Sequence, residues 1–351
     1  MSTPLRIGHV NFAKGFRGGE RQTLSLMQAL QSHCVEQWLI CRPGGELSRR
    51  ASAAGLSVCP VRHPAVGHIG VPAVSLIHAH EARGGYWAGL EALYRKTPYL
   101  ITRRIPNPVS TGFATQLMYR HAAAVVAVSA DVANALQRQI HRQPSVILDG
   151  CMPLPANDQL LMQIRQLCGR GPVIGHVGAM HDHHKGQSVL IAAFQQFVKT
   201  QPDARLLLVG DGPDLPRFKQ LANDDPRIVF AGFQEDVGSW LAAIDLFVFP
   251  SREEGLGSSV LDAMLLGIPV IAAKVGGLPE LIGDDQRGWL VEGHDPAIWC
   301  KKIAEVFSNP SQKKHRSEMA LQFASANNVE AMASAYLNCY RRILNLTTAS
   351  I

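Results

Sequence analysis

The chain has 351 residues, 46% of them apolar and 18% charged, which at roughly 150 residues per domain is enough for about two domains with large cores. Its seven cysteines form no C-x-x-C pair, which argues against a disulfide framework or a zinc ribbon and fits a reducing cytosol. The net charge of +6 is unevenly held: residues 1–150 carry 16 Lys and Arg against seven Asp and Glu (+9), and the remainder 18 against 21 (−3), so a basic half suited to nucleic acid, anionic lipid or a phosphorylated acceptor adjoins a mildly acidic one.

The first twenty residues lack an apolar core of signal-peptide length. The longest charge-free apolar stretch, Ala263 to Ala273, contains Gly267 and Pro269 and is too short to span a bilayer. Short β-branched runs at Leu5–Val10, Gln37–Cys41, Val74–His78, Tyr99–Thr102, Ala124–Val128 and Val146–Leu148 alternate with longer amphipathic stretches, which predicts a parallel sheet. D-G-C-M-P-L-P-A-N (Asp149 to Asn157) interrupts helix and ladder alike and marks a boundary between domains 1–150 and 151–327. The rhythm resumes at Val173–Val177, Arg205–Val209, Ile228–Phe230, Leu246–Phe249, Val270–Ala272 and Trp289–Val291. After Asp295 the pattern is helical, and Met332, Ala335, Tyr336, Cys339 and Tyr340 share one face, so residues 328–351 are expected to dock back on the first domain. The fold class is therefore α/β: two doubly wound, Rossmann-like domains facing a cleft, with C-terminal helices. In such sheets ligands bind beyond the carboxyl ends of the strands.

Three loops at such ends stand out. The first, A-K-G-F-R-G-G-E-R-Q (Ala13 to Gln22), offers the amides of Gly18 and Gly19 to an anion at a helix start, although glycines also serve any strand-to-helix turn. It is neither G-x-G-x-x-G nor a Walker sequence. The second, V-I-G-H-V-G-A-M-H-D-H-H-K-G-Q (Val173 to Gln187), holds Gly178 and places Lys185 near a helix N-terminus, where a cation gains nothing from the dipole and is best explained by a shared anion. His181, Asp182, His183 and His184 are metal-ligand types, yet neighbours in sequence do not converge easily on one ion, and no metal is expected. The third, P-S-R-E-E-G-L-G-S-S-V-L-D-A-M-L-L-G-I-P-V (Pro250 to Val270), sets Glu254 and Gly255 before the free amides of Leu256, Gly257 and Ser258. Asp262 lies one helical turn further, where an acid can accept from ribose hydroxyls. Both acids also fit the ordinary preference for carboxylates near a helix start.

These elements together resemble glycosyltransferase family 4, retaining enzymes of the GT-B fold, over nearly the whole chain. The most specific part is the family's E-x7-E motif, present as E-x7-D in Glu254 and Asp262 and followed by A-M-L-L-G-I-P-V and G-G-L-P-E (Gly276 to Glu280). The resemblance implies that Glu254 contacts the donor sugar, that the intervening amides hold phosphate and sugar, that Asp262 holds the ribose, and that Lys185 holds the donor diphosphate. Ala179 stands where many members carry arginine, which removes one charge from the diphosphate site. Members often place a histidine after the strand that here leads into I-T-R-R-I-P (Ile101 to Pro106), so Arg103 or Arg104 occupies that region, with Arg103 assigned to catalysis. His80, in I-H-A-H-E-A-R-G-G, is a second catalytic candidate, and a hydrogen-bonded loop histidine fits it as well.

Transfer builds negative charge on the leaving oxygen, which Lys185 and the amides of Gly257 and Ser258 can meet without metal or cofactor. No Asp-x-Asp occurs in the chain. The family implies reaction on one face of the sugar, with the departing phosphate deprotonating the acceptor. The expected partners are a nucleotide sugar and a saccharide or lipid-linked acceptor, in synthesis of lipopolysaccharide or another envelope polysaccharide. Arg95, Lys96, Arg103 and Arg104 beside Trp87, Tyr94 and Tyr99 suggest a surface resting on anionic lipid, hence a cytoplasmic protein peripheral to the inner face of the membrane. The rival readings are a nucleotide-sugar epimerase or phosphorylase of the same architecture, and a nucleic-acid module using Tyr94, Arg95, Lys96 and Tyr99. The loop motifs disfavour the latter, and nucleic acid is not an expected partner.

Overall fold

Strands and helices alternate along the chain, and every strand pairing is parallel. The computed structural model describes residues 5–63 and 67–346. It divides into two units, Met1–Gly150 with Asn327–Ile351, and Cys151–Ala326.

The first unit runs β1 (Leu5–Asn11), α1 (Gly18–Leu30), β2 (Val35–Cys41), α2 (Glu46–Ala53), β3 (Ser57–Pro60), β4 (Leu76–Ala79), α3 (Ala82–Arg95), β5 (Tyr99–Arg103), α4 (Phe113–His121), β6 (Ala124–Ala127), α5 (Ala130–Ile140) and β7 (Ser145–Val146). Its sheet has the order β3-β2-β1-β4-β5-β6-β7. All four residues of β4 are buried, as a parallel strand covered by helices on both faces requires. The edge strand β3 escapes the sequence reading because its residues are exposed or half-buried; with one face in solvent and Pro60 at its end, no apolar run marks it. The strand expected at Val146–Leu148 is a two-residue edge, Ser145–Val146.

The second unit runs α6 (Asp158–Cys168), β8 (Val173–Val177), α7 (Asp182–Lys185), α8 (Gln187–Phe197), β9 (Arg205–Val209), α9 (Leu215–Ala222), β10 (Ile228–Gly232), α10 (Val237–Ala242), β11 (Leu246–Phe249), α11 (Ser258–Leu265), β12 (Val270–Ala273), α12 (Leu278–Ile282), β13 (Trp289–Val291), α13 (Pro296–Ser308) and α14 (Pro310–Ala326). Its sheet order is β10-β9-β8-β11-β12-β13.

The last helix, α15 (Val329–Ile343), belongs to the first unit. Asn328 caps it by accepting from Ala331 N at 2.9 Å. Met332, Ala333, Tyr336, Leu337, Cys339 and Tyr340 then pack on Leu5, Ile7, Leu26, Leu30 and Leu76, because positions three and four apart share a face. Two hydroxyls from that face enter the core: Tyr340 Oη lies 2.7 Å from His78 Nδ1, and Tyr336 Oη 3.0 Å from Thr102 Oγ1. Tyr340→Phe leaves the buried His78 nitrogen without a partner and is expected to cost about 1–3 kcal/mol. Urea denaturation measures it; an unchanged midpoint would remove this bond from the account of how α15 is held.

Candidate active site

Right-handed crossovers place successive helices on one face of a parallel sheet until the strand order reverses, and the loops on either side of that reversal splay apart into a crevice. In the second unit the reversal lies between β8 and β11. The loops leaving those strands are the two that carry Lys185 and Glu254.

The structure brings these side chains into contact: Lys185 Nζ donates to Glu254 Oε2, and Ser251 Oγ lies 3.4 Å from the same oxygen. Lys185 Nζ also sits 5.0 Å from the Phe249 ring centroid, a favourable place for an ammonium. Two glycines make the approach possible. Gly186 has φ +65°, and a Cβ there would stand 2.1 Å from Pro250 O; Gly276 has φ +54°, and a Cβ there would stand 1.8 Å from Glu254 O. Any side chain at either place would push the loop away. Lys185 lies on α7, and Gly186 separates it from the start of α8, so it precedes the long helix rather than opening it.

Beyond Glu254 the chain passes through buried Gly255 and Leu256 to Gly257, which caps α11 with φ +99°. The helix begins at Ser258, so its first amides point back toward the loop. Asp262 is buried one turn in. Gly178 follows β8 directly, its N–H bound to Val209 O at 3.0 Å. The Asp182 carboxylate accepts from Ser188 N and Ser188 Oγ, both at 2.8 Å, and pairs with Arg217, and His184 Nδ1 pairs with Glu253 at 3.2 Å. Asp182 is thus an anchor for the start of α8, a role nothing in the local sequence announced.

In the first unit the order reverses between β1 and β4, where the Gly18–Gly19 loop and His80 emerge. His9 and His78 are register partners on these strands. Below the loops, His9, His78 and His80 form a buried stack: His9 Nδ1 is 3.0 Å from His80 Nε2, and the His78 and His80 rings are 3.8 Å apart. Their ligand atoms lie within 4.8 Å of one another. Both His78 nitrogens are nevertheless occupied, by Tyr340 and by Thr102 Oγ1 at 2.8 Å, and stacked rings do not aim their lone pairs at one point. The trio is a hydrogen-bonded core element, not a good cation cage.

Two assignments change here. Arg103 donates to the backbone oxygens of Ile105 and Asn107, which spends it on the turn after β5. His80 is buried with Nε2 on His9 and Nδ1 3.5 Å from Arg104 Nη1, so it supports Arg104 instead of presenting a nitrogen to a ligand. Arg104 is the side chain at this place: Nε donates to Asp149 Oδ1 at 3.2 Å and Nη1 to His80 O at 3.4 Å. Burial works against its charge, but Asp149, Tyr336 and Glu20 together outweigh that and raise its pKa. His9, Arg104 and Asp149 were missed as a set because they lie in β1, just past β5 and just past β7, brought together only by strand pairing.

Residues 171–309 match the family model described as Glycosyl transferases group 1. The chain is 31% identical over 207 residues to a D-inositol 3-phosphate glycosyltransferase of Corynebacterium kroppenstedtii, covering 54% of this chain and 46% of that protein. It is 34% identical over 181 residues to an N-acetyl-alpha-D-glucosaminyl L-malate synthase of Bacillus anthracis, covering 49% and 46%. The matched segments span less than half of these relatives' lengths. Among solved structures it resembles Anabaena Alr3699/HepE in complex with UDP-glucose (TM-score 0.85, 20% identity, 96% of this chain and 100% of that one). A glycosyltransferase from Rickettsia africae is similar (TM-score 0.83, 21% identity, 98% and 100%). The fold is GT-B.

Burial lowers the pKa of His9 to about 3 and of His176 to about 4, and holds His78 and His80 well below the usual 6.5. The unfolded chain protonates these rings near 6.5 and the folded one does not, so their stability is present above 6.5 and is lost as pH falls below it. Each histidine is expected to contribute a slope of about 1.4 kcal/mol per pH unit below that point. Denaturant midpoints at pH 7, 6 and 5 should fall steeply; a flat series would contradict the neutral stack.

Proposed function

With residues 171–309 a Glycosyl transferases group 1 domain on a GT-B scaffold, we propose that the protein moves a sugar, with retention, from a nucleoside-diphosphate donor to a saccharide or lipid-linked acceptor. The contact of Lys185 with Glu254 at the switch point, beside the α11 amides, carries this reading. Without donor, the two side chains neutralise each other. A diphosphate takes over Lys185, leaving Glu254 to accept from hydroxyls of the donor sugar and Asp262 from the ribose. The bond between the anomeric carbon and the phosphate oxygen breaks, and its electron pair leaves with the phosphate, where Lys185 and the amides of Leu256, Gly257 and Ser258 meet the growing charge. The acceptor oxygen bonds to the anomeric carbon on the same face, and its proton passes to the departing phosphate. No cofactor or metal enters this scheme. The UDP-glucose bound to the HepE neighbour supports the donor class, and the glycosyltransferase and glucosaminyl synthase names of the relatives support sugar transfer.

The acceptor, in this reading, belongs to lipopolysaccharide or another envelope polysaccharide and is met at the inner face of the cytoplasmic membrane. No helix among the described residues is long and apolar enough to cross a membrane. The surface differs from the one expected: Trp87 and Tyr99 are buried, Arg104 is internal, and Arg95 is held by Glu91 and the carbonyls of His68 and Val71. Tyr94 remains exposed and is joined by Tyr86, Leu90 and Leu93 on α3 and by Phe113 and Leu117 on α4, the two helices tied by Tyr86 Oη to Thr115 Oγ1 at 2.6 Å. Between residues 82 and 130 the sole acid is Glu91, itself buried, while Arg83, Lys96, Arg120 and His121 are exposed. Exposed apolar side chains on a segment that also exposes cations and no acid suit an anionic bilayer. The same burial dismantles the nucleic-acid run, and an epimerase or phosphorylase would turn over donor without a saccharide acceptor.

Glu254→Gln is expected to abolish transfer while nucleoside diphosphate still binds, whereas Lys185→Ala should weaken that binding and slow transfer together, both measured in chelator. Near-normal turnover of the Gln variant, or unchanged diphosphate affinity of the Ala variant by calorimetry, would sink the site assignment. For the acceptor side, the chain should sediment with anionic vesicles at low salt and less at high salt. Leu93→Asp with Phe113→Asp should remove that binding and spare diphosphate affinity; pelleting that ignores both substitutions would rule out this face.

A further inference from the structure

Gln187 opens α8, two residues after Lys185, and its side chain is fully buried. Its Nε2 donates to Ala179 O at 2.7 Å and lies 3.4 Å from Nε2 of His176, which is buried in β8, while its Oε1 is buried with no partner. The proton positions follow from the partners. Val248 O, 3.0 Å from His176 Nδ1, can only accept, so Nδ1 carries the ring proton and Nε2 the lone pair. Gln187 Nε2 therefore gives one hydrogen to His176 and the other to Ala179 O; the amide turned over would set its oxygen against two acceptors. Burial, helped by the charge of Lys185, lowers the His176 pKa to about 4, which keeps the ring neutral and its lone pair open to Gln187.

A buried amide with its oxygen unmade costs stability, whereas an apolar pair of the same shape would not. What the pair holds supplies a reason for it. Ala179 O accepts from His181 N at 2.8 Å as well as from Gln187, Gly178 N–H is spent on Val209 O, and Met180 N–H on Asp211 O at 3.0 Å. Of the amides of residues 178–180, only the Ala179 N–H has no acceptor among the described residues. His176 meets the Lys185 side too. Its ring stacks on Phe249 at 5.2 Å, the same ring that Lys185 Nζ lies over, and a Cβ on Gly178 would stand 3.2 Å from its Nε2. One imidazole thus lies beneath the turn after β8 and against the aromatic support of Lys185.

We propose that His176 and Gln187 are positioning residues of the donor site: their hydrogen bonds, running from Val248 O to Ala179 O, set the turn after β8 so that the unspent Ala179 amide and Lys185 Nζ meet the same diphosphate. Neither side chain touches the diphosphate, and no proton moves between them. The inference rests on reading the crevice between β8 and β11 as the donor site.

Calorimetry with UDP, GDP and ADP on the wild-type chain selects the nucleoside diphosphate held most tightly, and that one is the probe. His176→Phe with Gln187→Leu removes the hydrogen bonds and keeps apolar volume in their place, so the far-ultraviolet spectrum should be unchanged. This variant is expected to bind the probe about fivefold more weakly and to raise the donor KM by a similar factor, at unchanged acceptor KM. A role in packing alone would not produce that split. Should the double variant fail to fold, Gln187→Met keeps the length of the side chain and loses the amide, and several-fold weaker probe binding is expected of it. Unchanged probe affinity in the folded variant, or a loss shared equally by donor and acceptor, overturns the proposal. Lys185→Ala, measured alongside, separates two failures. Where it weakens probe binding and the other variants do not, this inference falls alone; where it leaves affinity unchanged, or where none of the three nucleotides binds the wild type, the donor-site reading falls and takes the inference with it.

Discussion

Everything functional here depends on the handedness of parallel-strand crossovers. A right-twisted strand feeding a helix returns to the sheet by a right-handed path, so strands added to the two sides of β1 or of β8 send their helices to opposite faces. At β1 and β4, and again at β8 and β11, adjacent loops are consequently drawn apart, and backbone amides and side chains there are left without the neighbours they would have elsewhere in the sheet. Lys185 with Glu254 stands at one such place, Arg104 at the other.

The two places solve the problem of charge differently. In the second unit the cation and the carboxylate neutralise one another, close to the surface, and glycines with left-handed backbone let the loops approach. Both partners of the pair retain some access to solvent. In the first unit the cation is internal, so it is framed permanently by Asp149 and by uncharged imidazoles. Neutral histidines are compatible with that burial where charged ones are not, since desolvation penalises only the protonated form.

The same polar layer holds the returning helix. Tyr336 and Tyr340 bring apolar rings into the core beneath β1 and β4 and spend their hydroxyls on Thr102 and His78. Helix docking and the setting of Arg104 thus meet where the His78 and His80 rings stack 3.8 Å apart, and buried hydrogen bonds of this kind specify one arrangement because a half-satisfied alternative leaves buried donors unmade.

By itself the sequence determined the α/β alternation, because buried parallel strands read as uninterrupted apolar runs, and it set Glu254, the first residues of α11 and Asp262 within one short segment. Local signals sufficed there. The solvent-facing edge strand β3 lacked such a signal. Strand pairing alone decided that His9, His78, His80, Arg104 and Asp149 form one cluster, since those residues are spread over about 140 positions and have no periodicity in common. Burial likewise decided between Arg103 and Arg104, which are indistinguishable as neighbours in a sequence but leave β5 toward different partners: one toward the carbonyls of a turn, the other toward a carboxylate in the core. It also removed Trp87 and Tyr99 from the surface while leaving Tyr94 on it, because which side of a helix or strand meets the core is set by the sheet it packs on.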